Sequence, residues 1–180
     1  KCERKAVRDT IIKLSTAFAI HGPRVALFAM EDMGANTHKL SKIKEFLQIS
    51  HIYVGIIAHR YGLLQKIGDK EISFTEYEYQ YMRDRKKEIY FYFKNPDVPV
   101  KPKYVEQDPR GKELLDKFKA EVEASHLRVD FSTPAELSTK VAIDISAHII
   151  GLLQESKEKE MELYSKIEGT SESRKVTWQE

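Results

Sequence analysis

The amino-acid sequence predicts an α/β fold, a three-layer sandwich in which helices cover both faces of a mainly parallel sheet. Two observations support this class. Short apolar runs alternate along the chain with helical patterns of about ten residues or more, the arrangement of parallel βαβ units. The run from Ile52 to Ala58 is apolar without alternation, as expected for a strand that is covered on both faces.

The spacing of apolar residues predicts each element in turn. Helical periodicity marks the segments 5–14, 40–49, 73–85, 114–124 and 134–153. Short apolar or β-branched runs mark strands at 25–30, 52–58, 89–93 and 127–131. The polar segment between 58 and 73 is predicted to be a loop. The proline-rich segment 95–111 is predicted to be a long connection, and such connections often form lids.

The chain is expected to contain one domain, residues 1–153, followed by a charged tail, residues 154–180. The tail is either a linker or an exposed helix that leads to a following domain. With 180 residues and 41% hydrophobic content, the chain can bury a sizeable core. It begins on a helix, whereas a doubly wound domain of this size normally begins on a central strand. A first strand and its loop are therefore expected before Lys1.

Composition and charge narrow the function classes. The 30 Lys and Arg against 28 Asp and Glu leave a net charge of +2, too balanced to indicate a nucleic-acid interface. The single cysteine, Cys2, excludes an internal disulfide and favours a reducing compartment, so a cytoplasmic location is expected. No run approaches the ~20 apolar residues of a membrane helix. The histidines show no paired metal-ligand spacing, so no metal site is predicted.

Polar residues cluster where two apolar strands are predicted to end. His59, Arg60 and Tyr61 follow one strand, and Glu31 and Asp32 follow the strand before it. Ligands of open α/β sheets bind at the carboxyl ends of strands, so these five residues are candidate substrate-binding residues. Alternatives stay open: Arg60 binds phosphate or pairs with an acid, and Tyr61 stacks on a flat ring or covers the sheet edge. His59 takes part in binding or is a hydrogen-bonded loop residue.

Two glutamates begin the helix that follows. The segment SFTEYEY contains two overlapping capping boxes, Ser73 with Glu76 and Thr75 with Glu78. Only one register can form, so one glutamate is available for another role. The helix dipole favours an ionised carboxylate there, which suits stabilising a positive charge or acting as a nucleophile. For either glutamate taken alone, helix capping is as good an explanation as a functional role.

The motifs MEDMGA, SHIYVGIIAHRYG, SFTEYEY and DVPVKP, in this order and spacing, resemble the family called domain of unknown function 4062. The resemblance covers roughly residues 3–153. The family looks like a relative of Toll/interleukin-1 receptor (TIR) domains and nucleoside deoxyribosyltransferase-like domains, which implies a flavodoxin-like or TIR-like sheet. The family's usual first strand and Ser-Ser-Thr loop are absent from this chain.

The resemblance implies roles for the helix start. In related glycosyl-transferring and NAD-cleaving domains, one glutamate here contacts the ribose and stabilises an oxocarbenium-like transition state. Their pattern has Thr or Cys three residues before this glutamate and a small residue four after it. Thr75 precedes Glu78 in this way, although Met82 follows it. Glu78 is therefore the first candidate for the catalytic residue and Glu76 the second, with Ser73 and Thr75 as substrate-binding residues.

The resemblance also implies a setting. It suggests the amino-terminal part of a defence or innate-immune protein, placed before a NACHT-type signalling ATPase and acting through self-association of copies. NAD or a related nucleotide would be the substrate, and no cofactor is implied. Two other hypotheses stay open, a non-enzymatic interaction module and a nucleotide sensor that binds without cleaving.

Overall fold

A computed structural model of the chain describes residues 2–19, 25–29 and 39–172, with side chains as far as residue 167. The helices are α1 (Cys2–Phe18), α2 (Lys39–Ile49), α3 (Phe74–Asp84), α4 (Pro109–Ser125) and α5 (Pro134–Glu172). The strands are β1 (Ile52–Ile57), β2 (Leu64–Ile67), β3 (Lys70–Ser73), β4 (Glu88–Lys94) and β5 (Val129–Phe131). A 3₁₀ turn spans Pro102–Tyr104.

The main sheet has three parallel strands in the order β1, β4, β5. The register pairs Ile52 with Glu88 at the start of β1 and Tyr92 with Val129 at the start of β5. The central strand, β4, carries three consecutive buried aromatic residues, Phe91, Tyr92 and Phe93, as expected for a strand covered on both faces. Helices flank the sheet, and the predicted α/β class is confirmed.

An aromatic cluster joins one face of the sheet to α3 and α4. The ring of Phe91 packs edge-on against Tyr79 of α3, with ring centroids 5.4 Å apart, and against Phe118 of α4 at 6.0 Å. Gly55 of β1 leaves room for this ring, because a Cβ at that position would overlap Phe91. The packing fixes α3 against β1, and with it the carboxylates at the start of α3.

A smaller apolar cluster holds the other end of α3 against α2. Its buried members are Ile43 and Leu47 of α2 and Met82 of α3. The ammonium group of Lys87 donates hydrogen bonds of 2.5 to 2.8 Å to three carbonyl oxygens at the end of α2. Two of these carbonyls, those of Leu47 and Gln48, lie in the last turn of α2, and that of Ser50 lies just beyond it. Lys87 therefore caps the end of α2 and ties it to the start of β4.

The segment predicted to be a loop after β1 contains a hairpin. The strands β2 and β3 pair in antiparallel fashion from Leu64 with Ser73 to Ile67 with Lys70. Gly68 and Asp69 form the two-residue turn, and Gly68 has a positive φ of 63°. Glycine at the first turn position is the feature of a type II′ hairpin turn. The hairpin returns the chain to the carboxyl end of β1.

The strand predicted at 25–30 is not observed. Residues 25–29 have no regular secondary structure, and Met30 lies outside the described residues. A strand exists only where a neighbour supplies ladder hydrogen bonds. The carbonyl of Val25 instead accepts a hydrogen bond of 2.8 Å from the hydroxyl of Ser15. The apolar run alone therefore gave the wrong secondary structure for the part that the structure describes.

The last helix is longer than predicted and continues to Glu172. Every side chain from 154 to 167 is exposed, so this part of the tail is an exposed helix. The chain divides into two compact units, residues 1–8 with 28–137 and residues 9–27 with 138–180, and the sheet lies in the first. Within the described ranges, no helix has the length and apolarity needed to cross a bilayer.

Candidate functional site

The structure brings most of the predicted site residues together at the carboxyl end of β1. His59, Arg60 and Tyr61 follow β1, and the hairpin then leads to Ser73 at the start of α3. The side chain of Tyr61 reaches α3 directly, through a hydrogen bond to Glu76. The two remaining candidates, Glu31 and Asp32, lie outside the described residues.

The start of α3 uses the register of Ser73 with Glu76. Ser73 is the N-cap, and its hydroxyl accepts a hydrogen bond of 3.2 Å from the backbone N–H of Glu76. In a simple capping box the glutamate would accept the N-cap N–H. Here the hydroxyl of Tyr61 lies between them, accepting from the Ser73 N–H at 3.2 Å and donating to Glu76 Oε2 at 2.6 Å. We call this closed ring of three residues the bridged cap.

The bridged cap engages both Glu76 and Tyr61. The second carboxylate oxygen of Glu76 accepts a hydrogen bond of 3.0 Å from the Gln80 amide. Tyr61 is 4% exposed and belongs to the aromatic core. Burial, followed by the hydrogen bond to the Glu76 carboxylate, raises the pKa of Tyr61 to about 12. Stacking of a substrate on the Tyr61 ring would therefore require the core to open.

Glu78 is held differently, by the sheet. The hydroxyl of Tyr53, on β1, donates a hydrogen bond of 2.9 Å to Glu78 Oε2. Burial, followed by the negative charge of Glu78, raises the pKa of Tyr53 well above its ordinary range, and Arg4 of α1 acts in the opposite direction. Glu78 is thus a half-buried carboxylate oriented by a strand tyrosine. Thr75 is also half-buried, but it is not the N-cap of α3.

Arg60 and His59 differ in charge and exposure. Arg60 is exposed and has no ion-pair partner among the residues that the structure describes. His59 is half-buried, and its Nε2 is buried without a hydrogen-bond partner in the same part of the chain. Burial, followed by the positive charges of Lys119 and Lys94, lowers the pKa of His59 below 6.5. The imidazole is therefore mainly neutral at pH 7, and Arg60 is the cation of this loop.

Two residues of this arrangement were missed by the sequence analysis. The sequence places Tyr53 in an apolar strand, but a tyrosine in such a strand usually needs a partner for its hydroxyl. Glu106 lies in the connection before α4, and its carboxylate accepts a hydrogen bond of 3.1 Å from the backbone N–H of Tyr61. No local pattern identifies it, because the two residues are 45 positions apart.

The arrangement offers a cation, Arg60, just beyond the carboxyl end of β1, and a carboxylate, Glu78 of α3, that is bonded to Tyr53 near the start of β1. Glu78 can stabilise positive charge, and the exposed guanidinium of Arg60 can bind an anion such as phosphate. Across the described ranges, no group of three or more His, Cys, Asp or Glu side chains could hold a metal ion.

Comparisons with known proteins identify the family. Neither the curated proteins nor the solved structures give a match to this chain. The family model for domain of unknown function (DUF4062) matches residues 1–146. That range includes the whole sheet, the loop after β1 and both glutamates of α3. The chain therefore belongs to the DUF4062 family.

Proposed function

We propose that this domain cleaves the N-glycosidic bond of NAD or a related nucleotide, with Glu78 stabilising the positive charge that develops on the ribose. One observation carries the proposal. Glu76 is engaged in the bridged cap, whereas Glu78 lies outside it and is oriented by Tyr53. Of the two glutamates, Glu78 is therefore the one whose carboxylate is not required to begin the helix.

An ionised carboxylate suits this reaction. The nicotinamide of NAD carries a positive charge, so when the bond between its nitrogen and ribose C1′ breaks, the electron pair leaves with neutral nicotinamide. No general acid is needed for that departure. The charge moves to the ribose, where a fixed carboxylate stabilises it. Water then bonds to C1′, loses a proton and yields the ribosyl product.

Arg60 supports the choice of a nucleotide substrate. Its side chain is exposed at the carboxyl end of β1, the end at which ligands of α/β sheets bind. A guanidinium binds phosphate oxygens through two parallel hydrogen bonds, which gives both affinity and orientation. Arg60 would thus hold the phosphates while Glu78 acts at the ribose.

The same proposal extends to the whole protein. We propose that the domain is a cytoplasmic effector or signalling domain of an innate-immune or defence protein, in which copies of the chain self-associate. The exposed part of α5, from 154 onward, suits a connector to a following NTPase domain. Activity would then depend on assembly, so the full-length, assembled protein is the correct sample for a test.

The test is to incubate this assembled protein with NAD and to follow nicotinamide release by chromatography. We expect release by the wild type and a loss of roughly 100-fold or more in Glu78→Gln, since an amide cannot supply the negative charge. Glu113→Ala, a change at an exposed position on α4, is the control and should leave release unchanged. Absence of release from the assembled wild type would contradict the proposal.

A second candidate is a non-enzymatic interaction module. It is favoured by large apolar side chains on the exposed part of α5, which are Met161, Leu163, Tyr164 and Ile167, each at least 55% exposed. Such residues mark protein interaction surfaces when they are contiguous. In this case Tyr164→Glu would abolish assembly, measured by light scattering, while Glu78→Gln would leave signalling intact. A nucleotide sensor would instead bind NAD saturably and form no product.

A further inference from the structure

We infer that Glu106, in the connection between β4 and α4, is a positioning residue that fixes the loop carrying Arg60. The role of Arg60 in nucleotide binding rests on the proposed function. The attachment of its loop to Glu106 rests on geometry alone, so the two can be tested separately.

Glu106 holds the chain on both sides of Arg60. Its backbone N–H donates a hydrogen bond of 2.7 Å to the carbonyl of His59. Its carboxylate Oε2 accepts one of 3.1 Å from the N–H of Tyr61. These backbone groups lie beyond the end of β1, and in the part of the chain that the structure describes they have no strand partner. Glu106 therefore supplies, for the residues on either side of Arg60, hydrogen bonds of the kind that a neighbouring strand supplies within the sheet.

Hydrogen bonds also hold the segment that follows Glu106. The side-chain amide of Gln107 donates to two backbone carbonyls in and after the 3₁₀ turn, at 3.0 and 3.2 Å. Asp108 is the N-cap of α4, and its carboxylate accepts a hydrogen bond of 2.8 Å from the Gly111 N–H. Glu106 is thus held between a turn and a helix start. The connection that the sequence predicted as a possible lid is, at this point, a support for the loop after β1.

Gly111 leaves the space that the Glu106 side chain occupies. A Cβ at this position would lie 2.9 Å from the carboxyl carbon of Glu106 and 3.2 Å from its Oε1. Gly111 has no positive φ, so alanine fits its backbone and favours the helix. Gly111→Ala therefore displaces the Glu106 carboxylate without removing it, and it does so without weakening α4.

Fixing this loop has a consequence for binding. A ligand that binds an exposed arginine must order the side chain and any mobile backbone beneath it, and both costs reduce affinity. With His59 and Tyr61 held, only the Arg60 side chain is left to order. Glu106 acts through the backbone and does not touch the ligand, so we expect it to change nucleotide affinity and not the chemical step.

The first experiment measures hydrogen exchange at the Tyr61 amide in the full-length protein. We expect exchange to be roughly tenfold faster or more in Glu106→Ala, which removes the acceptor from that amide, and faster than in the wild type in Gly111→Ala, which displaces it. Glu106→Gln keeps an acceptor oxygen and should restore protection, and Glu113→Ala is the exposed control. Unchanged exchange in Glu106→Ala would overturn the inference.

The second experiment measures NAD cleavage by the same variants. We expect Glu106→Ala and Arg60→Ala each to raise the KM for NAD by roughly tenfold, with little change in kcat. Glu106→Gln should restore the wild-type KM. A KM that rises in Arg60→Ala but not in Glu106→Ala would overturn the positioning role. If the wild type cleaves no NAD, the proposed function fails, and exchange at Tyr61 alone decides whether Glu106 fixes the loop.

Discussion

The first and second turns of α3 each contain a hydrogen bond between a tyrosine and a glutamate, but the two bonds have different consequences. In each, a tyrosine from β1 or the loop after it donates a hydrogen bond to a glutamate Oε2, Tyr61 to Glu76 at 2.6 Å and Tyr53 to Glu78 at 2.9 Å. Residues two apart on a helix point in nearly opposite directions, so the two glutamates meet different parts of the sheet.

The difference lies in what else each tyrosine holds. The Tyr61 hydroxyl also accepts the backbone N–H of Ser73, a residue that is 2% exposed. Without that hydroxyl, a buried donor would have no partner. The Tyr53 hydroxyl donates to a half-buried carboxylate that water can reach. The comparison indicates that the first tyrosine–glutamate pair maintains the helix start, while the second orients a carboxylate.

The largest expected effect separates the two glutamates by activity. We expect Glu78→Gln to lower the rate of nicotinamide release by roughly 100-fold or more, because the charge at the ribose is lost. Glu76→Gln should change the rate by no more than about threefold and lower the free energy of unfolding by about 1 kcal/mol. Release assays and urea denaturation measure the two quantities. If Glu76→Gln lowered the rate more than Glu78→Gln, Glu76 would be the residue that stabilises the charge on the ribose.

The next largest effect separates the two tyrosines by stability. Tyr61→Phe should lower the free energy of unfolding by about 2 kcal/mol, because the Ser73 N–H is left buried without a partner. Tyr53→Phe should lower it by about 1 kcal/mol or less, since Glu78 can bind water instead. Equal losses in urea denaturation would show that the bridged cap contributes no more than one ordinary hydrogen bond.

A smaller effect tests the capping register. Ser73→Ala should lower the free energy of unfolding by about 1 kcal/mol, the usual cost of losing an N-cap side chain. Thr75→Ala should change it by about 0.5 kcal/mol or less, since Thr75 is not the N-cap. A larger loss for Thr75→Ala would indicate that the helix starts in the alternative register, with Glu78 as the capping residue.

The last effect is a dependence of stability on pH. The pKa of Tyr61 rises from an ordinary 10.0 to about 12 in the folded state. The resulting stabilisation is complete below pH 10 and is lost as the pH rises through about 12. The difference in unfolding free energy between wild type and Tyr61→Phe should therefore narrow across this interval. The contribution of Tyr53 is present in both proteins and cancels. A constant difference up to pH 12 would contradict the raised pKa.

Much of the fold could be predicted because its signals are local. The apolar run at 52–58 and the helical spacing at 40–49 appear as β1 and α2 almost without shift. The hairpin was missed although Gly68 and Asp69 supplied a turn signal, because its strands have only four residues each. The run 25–30 shows the opposite error, since apolar character does not supply a strand partner.

Only part of the candidate site could be predicted, because some of its contacts join residues that are distant in the sequence. The sequence indicated the loop after β1 and the helix start, because both follow from the order of elements. It left two capping registers open, and the contact that selects one comes from Tyr61, which lies 12 positions before Ser73. The second support, from Glu106, is more distant still. Neither pairing produces a pattern in a single sequence.

The bridged cap also bears on how this region unfolds. A hairpin of two four-residue strands is marginal by itself. Tyr61 and Ser73 close it at its open end, and the same hydroxyl is bonded to Glu76 in the first turn of α3. Losing any one of these bonds weakens the others, so the hairpin and the helix start should open as one cooperative unit. Residues 61–76 would then exchange their protected amides together, with a shared opening free energy.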